Sequence, residues 1–294
     1  MTKRLPFALV AFLFAVVSCN HSEEFYEEEG GDTQQSSYEV VEFTPAPGQF
    51  INEGYTATTM AEACAYALQR LNQRYTVSLG GFGGYIVVKP QNAIPNSGGY
   101  DFGIYGNAFR GSSEPGIVWV SQDSNENGIA DDEWFELYGS ESNHKETIYN
   151  YAVTYSRTDD VTKIAWHDNC GGSGIMEQNA AHTQEYFPAW IGDEEYTLSG
   201  TCLPNNSEWV EQNGIGKWFL HAFEWGYVDN YNGTDIATGN NANRFRISDA
   251  HTTSGEPANL THIDFVKVQS ATNFICTEIG ESSTEVSGFV SYNE

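Results

Sequence analysis

Ile263-Asp264-Phe265-Val266-Lys267-Val268-Gln269 alternates two sets of residues along its length. Successive side chains of an extended chain point to opposite faces, so Ile263, Phe265, Lys267 and Gln269 share one face and Asp264, Val266 and Val268 the other. The same period runs through 217–225, where Phe219, His221, Phe223 and Trp225 alternate with Leu220, Ala222 and Glu224. Outward from these, short runs rich in β-branched and aromatic residues, bounded by Gly, Asn, Asp or Ser, predict strands at 75–79, 85–89, 101–105, 116–121, 134–137, 152–156, 163–166, 196–199 and 285–290. No repeat of 20–50 residues runs through the chain, which excludes propellers and solenoids. Many short strands without intervening helices predict an all-β fold, a β-sandwich or jelly roll.

One short helix near the N-terminal end of the domain is expected to pack on it. Thr59-Met60-Ala61-Glu62 has the form of a capping box, with Thr59 as N-cap and Glu62 reaching back to it. Met60, Cys64, Ala67, Leu68 and Leu71 follow at helical spacing, predicting a helix to about Gln73, with Cys64 as a small buried hydrophobe. Segments 167–195 and 226–261 read as long loops, the usual place for binding on a rigid sandwich.

The N-terminus supplies an address. Lys3 and Arg4 precede an almost wholly apolar run, 5–17, too short to span a bilayer but suited to a signal segment. It ends in Val16-Val17-Ser18-Cys19, which resembles the lipobox of bacterial lipoproteins, with Val17 a looser fit than Ala or Ser. That resemblance implies a signal peptide over 1–18 and acylation of Cys19, the acyl chains holding the protein at a membrane. Ordinary secretory cleavage, leaving a free cysteine, is the alternative. Residues 19–45 read as a tether: the run Glu23-Glu24-Phe25-Tyr26-Glu27-Glu28-Glu29, continuing into Gly, Gln and Ser, has too few apolar residues to offset its ordering entropy. The run also resembles the acidic signal that sends Bacteroidota lipoproteins to the exterior of the outer membrane. The sandwich then occupies 46–294.

With 13 Lys and Arg against 40 Asp and Glu, the formal charge of −27 argues against nucleic acid and anionic lipid surfaces as partners. Cys64, Cys170, Cys202 and Cys276 match no zinc spacing. A Cys202–Cys276 disulfide is one expectation and free buried thiols the other.

The most specific local pattern is Asp123-Ser124-Asn125-Glu126-Asn127-Gly128-Ile129-Ala130-Asp131-Asp132-Glu133. Oxygen donors at alternate positions before a turn-forming Gly suit one Ca²⁺, with Asp123, Asn125 and Asn127 giving side-chain oxygens, Ile129 its carbonyl, Asp131 a direct or water-mediated contact and Glu133 a closing carboxylate. The pattern resembles the calcium loops of EF-hands, dockerins and thrombospondin type 3 repeats. It departs from them at the twelfth position, which is Trp134. A metal-free Asn/Asp/Gly turn is the competing reading. Gly80-Gly81-Phe82-Gly83-Gly84 has no Lys-Ser/Thr and opens no helix, so it reads as a tight connection between strands and not as a phosphate loop.

Candidate ligand-binding residues are Trp166, His167, Asp168, His182, Tyr186, Trp190, Tyr227, Asp229 and Tyr231. Their rings can stack on a sugar or a flat macrocycle, and their polar neighbours can hydrogen-bond its rim; filling the core is the competing role for each ring. No nucleophile elbow, fixed triad or metalloprotease spacing is present, so an enzyme is not expected.

Several blocks resemble a known family over most of residues 75–290. They are 77–87, 101–109, 113–116, Asp131-Asp132-Glu133-Trp134, 196–204, Trp225-Gly226-Tyr227, 263–268 and 280–286. Together they are similar to the "cell surface protein", or PKD-like, lipoproteins of gut Bacteroidota. The resemblance implies a surface-exposed, non-enzymatic lipoprotein working beside TonB-dependent outer-membrane transporters for vitamin B12, with a corrinoid as ligand. It carries over no binding residue. Alternatives are a glycan-binding surface lipoprotein and a structural or adhesive surface protein.

Overall fold

The computed structural model describes residues 37–237 and 242–292. The signal segment, Cys19 and the tether up to residue 36 lie outside the described residues. Among the described residues no helix is long and apolar enough to cross a membrane.

The fold is all-β; among the described residues every strand pairs antiparallel and there is a single α-helix. A six-stranded sheet has the order Tyr38–Thr44, Tyr85–Pro90, Phe265–Ser270, Gly116–Ser121, Trp134–Leu137, Ala250–His251. The strand Phe265–Ser270 sits between two partners, Val266 facing Val88 on one side and Val120 on the other. Its alternation is used on both faces. Val266 and Val268 enter the main core with Ile86, Val88, Val118 and Val120. Lys267 and Gln269 point the other way. Gln269 Nε2 donates to the carbonyls of Gly83 and Ser199, and the Lys267 ammonium stands among the rings of Trp134, Trp119 and Tyr85 at 4.8, 4.9 and 5.7 Å. Burial draws the pKa of Lys267 down to about 8, against the pull of Glu42 and Glu136.

The helix Met60–Asn72 lays Ala63, Cys64, Ala67 and Leu71 into the main core. Thr59 Oγ1 accepts from Glu62 N as a cap, and the Glu62 carboxylate reaches back chiefly to Thr58 N at 2.8 Å and more weakly to the Thr59 backbone. The main core is completed by a three-stranded sheet, Ala242–Phe245, Phe102–Tyr105 and Gly288–Ser291, through Phe102, Ile104, Phe245 and Phe289. A four-stranded sheet, Ser173–Glu177, Lys163–Asp168, Ile148–Arg157 and Glu195–Cys202, encloses a second core around Tyr155, Ile164, Met176 and Leu198, closed by Phe82, Tyr186 and Phe187. The Gly80–Gly84 run is the tight connection expected of it. A Cβ on Gly84 would stand 1.8 Å from Leu79 O, and one on Gly80 2.0 Å from Ala46 O.

Four expectations are corrected. The folded body begins at the strand Tyr38–Thr44, inside the segment read as tether. Its apolar residues Tyr38, Val40 and Phe43 are buried, and a bulge between Val40 and Glu42 shifts the register that a period of two would need. The strand expected over 217–225 is Ile215–Leu220, because its antiparallel partner Ser207–Gln212 begins opposite Leu220. The long loops contain Ser173–Glu177, Ala242–Phe245 and Ala250–His251. The four cysteines are free: Cys64 and Cys202 are buried, Cys276 is half-buried and Cys170 exposed, so Cys202 and Cys276 are not bridged.

Candidate functional site

The aromatic and polar residues singled out above fall in three separate places. Trp166, His167 and Asp168 end the strand Lys163–Asp168. Trp166 is half-buried against Gly174, His167 is exposed, and Asp168 organises the following turn. Its carboxylate accepts from Cys170 N, Gly172 N and the Tyr151 hydroxyl at 2.8, 2.7 and 2.6 Å. Burial pushes the Asp168 carboxyl up, but these bonds outweigh it and hold it below the usual carboxylate range.

The second group packs against the body. His182 Nδ1 lies 2.7 Å from Glu53 Oε1 with the Phe50 ring edge-on at 4.7 Å. Tyr186 is buried and its hydroxyl donates to His182 O. Trp190 Nε1 donates to Phe43 O while its ring packs on Phe43 and Tyr55. In the third group Tyr227 is buried beneath Gly139, its hydroxyl accepting from Glu141 N. Asp229 is buried and accepts from Asn107 N, Ala108 N and Glu285 N. Tyr231 is exposed.

The concave site lies beside the third group. A cleft of about 340 Å³ is bounded by Tyr100, Tyr138, Trp225, Arg244, Arg246 and Asp249. Each wall has a local cause. Asp101 is buried and uses Oδ1 on Ser97 and Oδ2 on Ile247 N, which fixes the neighbouring Tyr100. Arg244 is set by pairing with Gly103, and its Nε donates to Asp235 O at 3.0 Å. The guanidinium carbons of Arg244 and Arg246 stand 4.1 and 4.3 Å from the centre of the Tyr100 ring. Tyr138 follows the strand Trp134–Leu137 and packs at a tilt on His251, 3.9 Å between ring centres. Trp225 is brought in by Gly226, whose φ of +92° suits glycine. A Cβ there would also stand 2.5 Å from Gly139 Cα. Asp235 secures this turn: its carboxylate accepts from Gly226 N, Asn232 Nδ2 and Asn243 Nδ2. Burial raises the pKa of Asp249, partly offset by Arg246. Of the residues expected to bind ligand, none is among these walls. The signal for the cleft was Arg244-x-Arg246 on an alternating strand in a chain poor in cations.

The loop 123–133 gathers most of its expected donors. Asp123 Oδ1 accepts from Asn127 N and Oδ2 from Gly128 N at 3.0 and 2.7 Å. Asn125 and Asn127 use their side-chain oxygens on Asn127 N and Ile129 N, and both amides reach the Asp131 carboxylate at 3.2–3.3 Å. The Ile129 carbonyl accepts from Asp131 N. Glu133 is exposed, and Asp132 carries a buried Oδ2 without a hydrogen-bond partner. The Lys89 ammonium donates to Gly128 O. Among the described residues no three His, Cys, Asp or Glu side chains converge as a metal site; the donors here are two carboxylates and two amides. No protein-family model matches the chain and no curated protein is similar to it.

Proposed function

We propose that this chain is a non-enzymatic lipoprotein, anchored through Cys19 in the outer membrane and facing the cell exterior, that captures a corrinoid for a TonB-dependent transporter. The observation that carries the capture reading is the cleft of about 340 Å³, within the size range of ligand sites and walled by the rings of Tyr100, Tyr138, Trp225 and Phe245 with a few fixed polar groups. The corrinoid comes from the likeness in sequence described above. A corrin offers a broad apolar face rimmed by amides, which suits Tyr100, Tyr138 and Trp225 beside Arg and Asp. Calcium in the loop 123–133 would brace the turn leading into the strand Trp134–Leu137, and through it Tyr138. Calorimetry of the purified chain with cyanocobalamin tests the reading. Measurable heat of binding at micromolar protein is expected, and its absence rejects corrinoid capture.

A glycan-binding reading has its own observation. The hairpin Ser207–Gln212/Ile215–Leu220 holds Trp209 and Trp218 opposite each other, 5.4 Å between ring centres, with Trp209 44 % exposed. An exposed indole is a stacking surface for a sugar ring. A glycan panel run beside cyanocobalamin separates the two readings.

A further inference from the structure

We propose that the cleft recognises a hydroxylated ring carrying an oxyanion, with Arg244 and Arg246 as the anion-reading pair. The proposal rests on the cleft being the capture site and names the chemistry it would select.

Four observations lead there. First, neither guanidinium has a carboxylate within 4 Å among the described residues, although the chain holds 40 Asp and Glu. Arg246 feels the Asp249 carboxylate only at longer range, so neither fork is saturated by an ion pair. Second, the pair is held in place. Both guanidiniums lie over Tyr100, and Arg244 spends Nε on Asp235 O, leaving its terminal nitrogens as donors. Two positioned planar forks match the geometry of a carboxylate or phosphate, which accepts paired N–H bonds. Third, the acidic groups around the cleft do not cancel this charge equally. Asp235 is buried and its two oxygens are taken by Gly226 N, Asn232 and Asn243. Glu224 is exposed at the rim, and Asp249 is half-buried with its carboxyl shifted toward the neutral form. Both can hydrogen-bond ligand hydroxyls, while Glu224 at the rim repels a second anion. Fourth, Trp225 and Tyr138 offer the flat apolar faces on which a ring stacks.

The same lining would seat the oxyanion on the arginines over Tyr100, the ring against Trp225 and Tyr138, and hydroxyls on Glu224 and Asp249. The surrounding negative field repels anions elsewhere, so an anionic ligand has one favourable place to settle. Two sources present this chemistry: the carboxylate of an acidic sugar, and the phosphodiester beside the ribose in a corrinoid's nucleotide arm.

The test titrates the purified full-length chain in detergent with two matched pairs of probes. One pair is trigalacturonate against neutral galactotriose. The other is cyanocobalamin against dicyanocobinamide, which lacks the ribose-phosphate arm. In at least one pair the oxyanion-bearing probe is expected to bind at least about tenfold more tightly than its counterpart. Arg244→Gln/Arg246→Gln should erase that difference, and the wild-type pairs decide the matter if that variant does not fold. Preference within the sugar pair, with neither corrinoid binding, supports the cleft assignment while rejecting corrinoid capture. Preference within the corrinoid pair alone identifies the phosphodiester as the source. Equal binding within both pairs, or binding of no charged probe, overturns the assignment. If both corrinoids bind equally, the arginine variant leaves them unchanged and the sugar pair shows no preference, corrinoid capture stands at another surface and this cleft is rejected.

Discussion

Asp229 is buried with a left-handed backbone, φ +54°, and its carboxylate holds three backbone N–H groups. Burial raises its pKa to about 7 despite those bonds. Around it lie other interior acids. Glu285, raised to about 8 by burial and then by Asp229, contacts the Asn107 amide; Glu281, raised to about 7 by burial, accepts from Gln49 N; Glu114, pushed well up by burial and then by Glu285 and Asp229, accepts from Ser283 N. An acid whose folded pKa exceeds its unfolded value gives stability that is complete below the unfolded carboxylate range, about pH 4, and is lost as pH rises through the folded value. The window here runs from there to about 8. Asp168, Asp160 and Glu62 act oppositely, their pKa values lying below normal, and lose their contribution in acid. Stability should therefore peak on the acidic side of neutrality, with urea midpoints falling in the order of about pH 5.5, 7 and 8.5. A flat profile would show these acids to be equally at ease ionised.

Two glycines make a second comparison at this scale. A Cβ on Gly84 meets Leu79 O and Ala46 N, backbone atoms that cannot swing aside, while one on Gly192 meets nothing within 4 Å. Gly84→Ala should cost about 3 kcal/mol and Gly192→Ala less than about 0.5 kcal/mol, measured by denaturant unfolding.

Among elements, the loop 123–133 is the one whose chemistry the local sequence displays most openly. Asp123 already supports two backbone N–H groups, so its replacement confounds folding with binding. Asp131 reaches only the amides of Asn125 and Asn127. Calcium at 100 times its dissociation constant should stabilise the chain by about 2.7 kcal/mol, seen as a raised melting midpoint that a chelator reverses. Asp131→Asn should abolish the rise while barely moving the metal-free midpoint. An unchanged midpoint in the parent chain with and without chelator rejects the calcium reading.

Elements were legible where burial imposed a period. Gly116–Ser121 and Trp134–Leu137 stand where their apolar runs predict, because neighbouring strands flank both. The edge strand Tyr38–Thr44 was hidden by its exposed Glu39 and Val41 and by its bulge, which together look like solvated tether. Ser207–Gln212 offers only Trp209 and Val210 as apolar residues and owes its extended form to its hairpin partner. The cleft was less legible still. Its walls come from positions 100, 138, 225, 244 and 246, which only the assembled fold brings together, whereas the aromatic stretches that draw attention in sequence furnish core rings such as Tyr186 and Tyr227.

For the whole molecule, the topology places Phe265–Ser270, the last strand of the large sheet in chain order, between two strands formed from residues 85–90 and 116–121. The centre of the large sheet cannot close until most of the chain has emerged, a pattern of distant contacts that makes for slow folding.

The same sheet has two ends with different neighbours. Tyr38–Thr44 is one edge, directly after the segment that would lead back to Cys19. Ala250–His251 is the other, and His251 there supports Tyr138 at the wall of the cleft. If the chain is held upstream of Ser37 while another body pulls on a ligand seated in the cleft, tension enters at the first edge and leaves near the sixth strand. It crosses every ladder sideways, rung by rung. The sheet then serves as the mechanical link between anchor and cargo, and its weakest ladder, not the grip on the ligand alone, sets the force at which the two part.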